Sequence, residues 1–283
     1  MDEKPRLRPS DYLPLLRAAL REDLGRAGDL TTKLFVSPKT RLKGRIASRQ
    51  AGVVCGLEIA AAAFRACDPR AKIHLLVRDG ARVRPGRAVM EVSGGRGLLT
   101  AERTALNFLQ RMSGVASLTR LFVDRVRGTG AKILDTRKTL PGWRALDKYA
   151  VACGGGVNHR LGLYDAAMVK DNHYLAGRLE EGARQLRRRY PGVPLIVECD
   201  AISQLPRALA LRPEVVLLDN MSPARLRAAI RRIRRDSSRT RIEVSGGVDL
   251  STVRALAKLG PDRISIGALT HSAPALDLGL DLA

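Results

Sequence analysis

Tyr12, Leu15, Leu16, Ala19, Leu20 and Leu24 recur at three- and four-residue intervals, which places them on one face of a helix that Gly25 ends. From Lys43 to Ser93 the pattern changes to short β-like runs, as in RIASRQAGVVCG, AKIHLLVRDG and RAVMEVSGG, with turns at Asp79-Gly80 and Pro85-Gly86. This half reads as a small sheet crossed by a helix from Glu58 to Cys67. Residues 99–128 read as two helices, around LLTAERTALNFLQRM and ASLTRLFVDRVRG.

From Lys132 onward strand and helix patterns alternate. The strands KILDTRK, AAMVKDNH, LIVECD, EVVLLDN, RIEVSGG and RISIGAL begin near positions 132, 166, 195, 214, 241 and 263. The intervals leave room for one helix in each crossover, which is the mark of a parallel α/β architecture. Ser222-Pro223 starts one helix as an N-cap with proline in the first turn, and Gly260-Pro261 stops another. Each apolar strand core ends in polar or glycine residues: Asp135, Arg137 and Lys138; Lys170 and Asp171; Glu198 and Asp200; Asp219 and Asn220; Ser245, Gly246 and Gly247; Gly267. A parallel barrel gathers such strand ends on one face, where its active site lies.

Composition narrows the class. Fifty Lys plus Arg against 28 Asp plus Glu give a net charge of +22 over 283 residues, while the 45% hydrophobic content is enough for a packed core and argues against a disordered chain. No stretch is apolar and long enough for a membrane helix, and the opening MDEKPRLRPS lacks the apolar run of a secretory signal, so a cytoplasmic chain with no membrane partner is expected. Cys55, Cys67, Cys153 and Cys199 lie far apart without zinc-ligand spacing and are expected reduced and mostly buried. Arginine runs such as Arg187–Arg189 suit a solvated basic surface, a nucleic-acid backbone or a field that gathers small anions. Scattered aromatics offer no stacking platform, so no specific nucleic-acid partner is expected.

The strand ends carry two sets of charge. Arg137, Lys138, His159, Arg160 and Lys170, with Arg103 from the preceding helix, would repel one another unless a multiply charged anion neutralised them; a dicarboxylate and a polyphosphate both qualify. Glu198 and Asp219, on adjacent strands, suit a hard divalent cation such as magnesium, or pair with those cations. Glycine exits at Ser245-Gly246-Gly247 and Gly267 let backbone N–H groups approach a phosphate. Gly154-Gly155-Gly156 is either a flexible turn that faces His159 and Arg160 to the site or a tight helix stop.

At these residues the sequence resembles the quinolinate phosphoribosyltransferase family. The matching blocks are REDLGRAGDLTT (21–32), LLTAERTALNFLQRMSGVAS (98–117), ILDTRKTLPGWRALDKYAV (133–151), CGGGVNHRLGLYDAAMVKDNH (153–173), LLDNM (217–221), EVSGG (243–247) and ISIGALTHSAPALDLGLDL (264–282). The resemblance implies an α/β chain: an N-terminal α/β sandwich over 1–113, then an open parallel α/β barrel of the type II phosphoribosyltransferase kind over 114–271, with residues 272–283 packing back on the first domain. It also implies transfer of phosphoribose from phosphoribosyl pyrophosphate to quinolinate with decarboxylation, giving nicotinate mononucleotide, pyrophosphate and CO2 for NAD biosynthesis.

Carried over residue by residue, the resemblance gives the quinolinate dicarboxylate to Arg137, His159, Arg160 and Lys170, with Arg103 reaching in from a second subunit of a homodimer or larger oligomer. Lys138 and Lys170 would meet the pyrophosphate, while Glu198 and Asp219 would hold Mg2+ and the ribose hydroxyls. Ser245, Gly246, Gly247 and Gly267 would take the 5-phosphate, with His271 nearby. Lys138, Lys170, Glu198 and Asp219 are thus the implied catalytic set. Two positions depart from the family pattern: Ile196 stands where a first acidic residue is usual, and Trp143 replaces a smaller aliphatic side chain. A paralogue acting on another heteroaromatic acid is the alternative within the class.

Overall fold

Helix and strand periodicities survive into the structure because their apolar faces meet. The computed structural model describes residues 7–282 as two compact units, the first built from three chain segments (described residues 7–120, 139–155 and 269–282) and the second from 121–138 and 156–268.

In the first unit, α1 (Pro9–Leu24) buries Tyr12 and Leu16, the inward positions of its apolar face, and is followed by α2 (Leu30–Phe35), which Asp29 caps through the Thr32 N–H. Strands β1 (Leu42–Ser48), β3 (Lys72–Leu75) and β5 (Ala88–Gly94) pair antiparallel with β12 (Leu278–Leu282) in the order β12-β1-β5-β3. A two-stranded ribbon joins β2 (Gly52–Val53) to β4 (Arg82–Val83). Helix α3 (Leu57–Cys67) starts at Gly56, which lacks a side chain to cap it. Asp79 does that work from a distance: its Oδ1 accepts from the Gly56 and Leu57 N–H groups at 3.1 Å each, and its Oδ2 accepts from the Tyr149 hydroxyl at 2.9 Å. Burial pushes the Asp79 carboxyl above the usual carboxylate range, its hydrogen bonds opposing the shift.

The cysteines are free, with Cys55, Cys153 and Cys199 buried and Cys67 half-buried. The fold brings Cys55 and Cys153 together with Asp79, ligand atoms within 4.8 Å of one another, although the Asp79 carboxylate is already held by three donors.

Residues expected as two helices form one, α4 (Gly97–Arg125), continuous through Ser113-Gly114, where the small residues have a tertiary cause. A Cβ at Gly114 would lie 2.0 Å from the Pro274 carbonyl oxygen, so glycine is there for close backbone approach, while Ser113 Oγ accepts from the Cys55 N–H at 2.9 Å. Helix α5 (Arg144–Cys153) completes the unit, and Trp143 at its start stacks on Phe108, ring centroids 4.9 Å apart, in a packing role.

The second unit contains all six strands expected from the alternation: β6 (Lys132–Leu134), β7 (Ala167–Val169), β8 (Leu195–Cys199), β9 (Val215–Asp219), β10 (Arg241–Ser245) and β11 (Arg263–Ser265). They form one parallel sheet in the order β6-β11-β10-β9-β8-β7, open between β6 and β7, so the architecture is the expected incomplete barrel. Helices α6 (Asp171–Ala176), α7 (Leu179–Arg189), α8 (Leu205–Ala210), α9 (Pro223–Asp236), α10 (Val253–Ala257) and the short α11 (Ala268–His271), whose last residues belong to the first unit, fill the connections after β7. Ser222 caps α9 by accepting from the Arg225 N–H, as its sequence predicts.

One sheet face packs Val197, Cys199, Val216, Leu218, Ile242 and Val244 against Leu205, Ala208, Leu226, Ala229 and Ile233 of the helices. The other face carries a smaller apolar layer of Ala166, Met168, Ile196, Val215 and Leu217. Ile196 is therefore a core residue of the barrel interior.

Candidate active site

Strand alternation puts the chemistry on the second of those faces. Because Val169 pairs with Val197, Lys170 comes opposite Glu198, and because Ser245 pairs with Asp219 their side chains stand together, all on the face away from the helices. Lys170 Nζ donates to Glu198 Oε2 at 2.8 Å, half exposed at the strand ends. The Asp219 carboxylate, half-buried at the carboxyl end of β9, makes no hydrogen bond or ion pair to any described residue.

The cationic groups gather at the exit of β6. Val157 extends that edge through a parallel bridge to Leu134, which brings the following turn against Asp135. The fully buried Asp135 carboxylate accepts from Asn158 Nδ2 at 2.6 Å and from the His159 N–H at 2.7 Å. Two residues on, Arg137 is half-buried with its Nε shielded from water and without a hydrogen-bond partner. Arg160 donates through Nη1 to the Ala166 carbonyl at 3.1 Å. Burial, and after it the neighbouring charge of Arg137, pull Arg160 below the ordinary guanidinium value, with Asp165 and Glu198 opposing. A guanidinium that depresses its neighbour in this way makes a site that gains from a bound anion.

The His159 ring faces inward. Its Nδ1 accepts from the Arg160 N–H at 2.7 Å and its Nε2 lies 3.0 Å from Glu243 Oε1, with the side chains 6% and 0% exposed. Glu243 escapes a reading of strand ends because it lies two residues before Ser245, inside β10; the signal that could have found it is its period-two match to Ser245 in RIEVS. Lys138 is exposed, its N–H donating to Thr136 Oγ1 at 3.0 Å.

At the exit of β10, Gly246 and Gly247 both take positive φ, +92° and +59°. A Cβ on Gly246 would sit 2.7 Å from the Asn220 nitrogen, so the turn closes against the β9 exit only with glycine; one on Gly247 would meet nothing within 4 Å. The Asn220 N–H donates to the Ser245 carbonyl at 2.9 Å. Gly267 follows β11 and is half-buried. The second unit thus brings together Arg137, Lys138, His159, Arg160, Lys170, Glu198, Asp219, Ser245, Gly246, Gly247 and Gly267. Arg103 and His271 belong to the first unit: Arg103 is exposed on α4, and His271 is exposed with Nδ1 2.6 Å from Ser272 Oγ.

Glu198 and Asp219 fit a hard divalent cation in donor type: both are carboxylates at strand ends, Asp219 is unengaged, and Glu198 keeps one oxygen clear of Lys170. Two such ligands suit magnesium, which keeps water and substrate oxygens in its remaining positions. Among the described residues no helix is long and apolar enough to cross a membrane.

Known proteins resemble the chain over nearly its whole length. Residues 29–113 match the family described as quinolinate phosphoribosyl transferase, N-terminal domain, and residues 115–281 match its C-terminal domain. The nicotinate-nucleotide pyrophosphorylase [carboxylating] of Mycobacterium leprae is 45% identical over 271 residues, covering 94% of this chain and 95% of its own. A probable enzyme of the same name from Synechocystis is 38% identical over 273 residues, covering 95% and 92%. The solved structure of the nicotinate-nucleotide pyrophosphorylase from Francisella tularensis superimposes with a TM-score of 0.92 at 34% identity over all of both chains.

Proposed function

The chain belongs to the quinolinate phosphoribosyltransferase family, and on that premise we propose how its own residues carry out the family's reaction. The enzyme is a nicotinate-nucleotide pyrophosphorylase (carboxylating): it joins quinolinate to phosphoribosyl pyrophosphate and releases nicotinate mononucleotide, pyrophosphate and CO2 in NAD biosynthesis.

Arg137, Arg160 and Lys170 grip the two quinolinate carboxylates. The observation that carries this assignment is the pair of guanidinium groups, one with a buried unpartnered Nε and the other depressed by burial and by its neighbour's charge. Arg103 of the partner subunit completes the grip, its exposure on α4 making it available to a second copy in a homodimer. The Ser245-Gly246-Gly247 turn and Gly267 receive the 5-phosphate through backbone N–H groups. Lys138 and Lys170 face the pyrophosphate, and Glu198 and Asp219 orient the ribose hydroxyls and hold magnesium. Bound there, magnesium would neutralise charge developing on the departing pyrophosphate.

In the transfer the quinolinate ring nitrogen forms a bond to ribose C1 while the C1–oxygen bond breaks, its electron pair leaving with pyrophosphate. The nitrogen becomes cationic. The bond to the adjacent carboxylate then breaks, CO2 departs, and the electron pair stays on ring C2, stabilised by the neighbouring positive nitrogen until a proton from water replaces it. Preorganised cations hold the carboxylates against water and stabilise charge without reorganising, so no side chain attacks covalently.

The test is an assay with phosphoribosyl pyrophosphate, Mg2+ and either quinolinate or nicotinate, reading pyrophosphate and CO2 together. Equal release of both with quinolinate alone supports the assignment; turnover of nicotinate without CO2 would refute it.

A further inference from the structure

We propose that the groove between α9 and α10, on the outer side of the barrel wall, binds a nucleoside diphosphate, with its phosphates on Arg227, Arg231 and Lys258 and its base over an apolar floor. Each helix contributes one face at three- and four-residue spacing: Arg227, Ile230 and Arg231 come from α9, and Ala255, Lys258 and Leu259 from α10 and the turn that follows it. The groove has a volume of about 460 Å³, in the range of small-ligand sites. Ile230 is buried and Leu259 half-buried, while Ala255 is exposed and its short side chain leaves room between the cations.

The pairing of charges around the groove is selective. Helix α9 carries six arginines, and α10 with its C-cap adds Arg254 and Lys258. Arg225 donates to the Asp200 carbonyl at 3.0 Å, Arg232 and Arg235 share Asp236 at 3.4 and 2.8 Å, Arg234 reaches Asp262 at 2.9 Å, and Arg254 donates to the Arg125 carbonyl at 2.7 Å. The side chains of Arg227, Arg231 and Lys258 make no hydrogen bond or ion pair with any described residue. The cations left without a partner on these helices are therefore the three that line the groove, and Arg227 and Arg231 stand one turn, about 6 Å, apart along the axis. No carboxylate is among the residues lining it, so three like charges face one space and a bound anion relieves their repulsion. A bare polyphosphate would neutralise them and leave Ile230 and Leu259 facing water; a nucleoside diphosphate supplies both the negative charge and a flat base to cover them. The inner face of α9 packs Leu226, Ala229 and Ile233 on the sheet, whose other face carries the Lys170–Glu198 pair, so this groove is separate from the transfer site.

The experiment photolabels the wild-type enzyme with 8-azidoadenosine diphosphate, locates the labelled residues by mass spectrometry, and takes affinity from the probe concentration that half-saturates labelling. Label is expected on α9, α10 and the turn after it. Two variants test the contacts at positions that are all exposed, so neither disturbs the core: Arg227→Gln/Arg231→Gln/Lys258→Gln removes the cations, and Ala255→Glu sets a carboxylate among them. In both, the half-saturating concentration for the groove should rise about tenfold or more, while the melting temperature and the steady-state kcat and KM values stay as in the wild type. Unlabelled ADP should displace the probe at lower concentration than tripolyphosphate or a DNA duplex. Label confined to the strand ends of the transfer site, groove labelling that neither variant weakens, or displacement by tripolyphosphate or DNA as readily as by ADP would overturn the proposal, the last by assigning the groove to phosphate charge alone. An enzyme that labels in the groove yet fails to turn over quinolinate would refute the functional reading and leave this site standing.

Discussion

Replacing Lys170 by Met keeps the length of the apolar stem and removes only the ammonium group, which separates what that charge does for the fold from what it does for the reaction. For the fold the structure makes the cost small. The Lys170–Glu198 pair is 2.8 Å long, with side chains 45% and 16% exposed, so solvent screens it. A pair of that kind contributes about 0–1 kcal/mol. At roughly 2–4 °C per kcal/mol for a unit of this size, the melting temperature should fall by no more than about 4 °C. For the reaction, the proposed assignment makes the same ammonium group a preorganised cation at the point where substrate charge is held. Losing one such donor costs about 2.7–4 kcal/mol, or roughly 100- to 1,000-fold in kcat/KM. Initial rates of pyrophosphate release, set beside thermal melts of the same preparations, read both quantities. A loss of activity under about tenfold, or a melting temperature that collapses in proportion to the activity, would show that Lys170 is a structural partner of Glu198 and that its assignment to the substrate is mistaken.

Arg137→Ala should weaken quinolinate binding far more than phosphoribosyl pyrophosphate binding, and equal losses for the two ligands by calorimetry would remove it from the dicarboxylate grip. Gly246→Ala places a Cβ 2.7 Å from the Asn220 nitrogen at φ +92°, and should raise the phosphoribosyl pyrophosphate KM about tenfold or more, whereas Gly247→Ala, with open space around it, should do so less; the reverse order in steady-state kinetics would count against the turn. Burial raises the Asp79 carboxyl in the native protein, so the native state holds this proton to higher pH than the unfolded chain, whose Asp titrates near about 3.9. Ionised Asp79 therefore costs stability above its native pKa, and that cost is relieved as pH falls from there toward the unfolded value. Against Asp79→Asn, the wild-type protein should gain relative stability on acidification through that window, and urea melts showing a relative loss would contradict the assignment.

The barrel half was readable because each strand couples an apolar core to a polar exit, and both properties are local. Arg137, Lys170, Glu198, Asp219 and the Ser245-Gly246-Gly247 turn came into view for that reason. The long helix did not, since Gly114 looks like a break until the Pro274 carbonyl that fills its missing side chain is known. The buried acids were hidden in a different way. Asp135 has meaning only through Asn158 and His159, and the approach of Glu243 to the His159 ring joins positions far apart in the chain. The meeting of Cys55, Asp79 and Cys153 is of the same long-range kind.

The pairing of β12 with β1 has a consequence for synthesis. Gly44 opposite Leu282 and Ser48 opposite Leu278 join the earliest strand to the last one made. While a ribosome is still producing the second unit, β1 has β5 on one side and an open row of backbone donors and acceptors on the other. The nascent first unit must wait, with that edge available to other chains, through the whole translation of the barrel, and only residues 278–282 close it. The length of that wait is set by how fast the intervening chain is made.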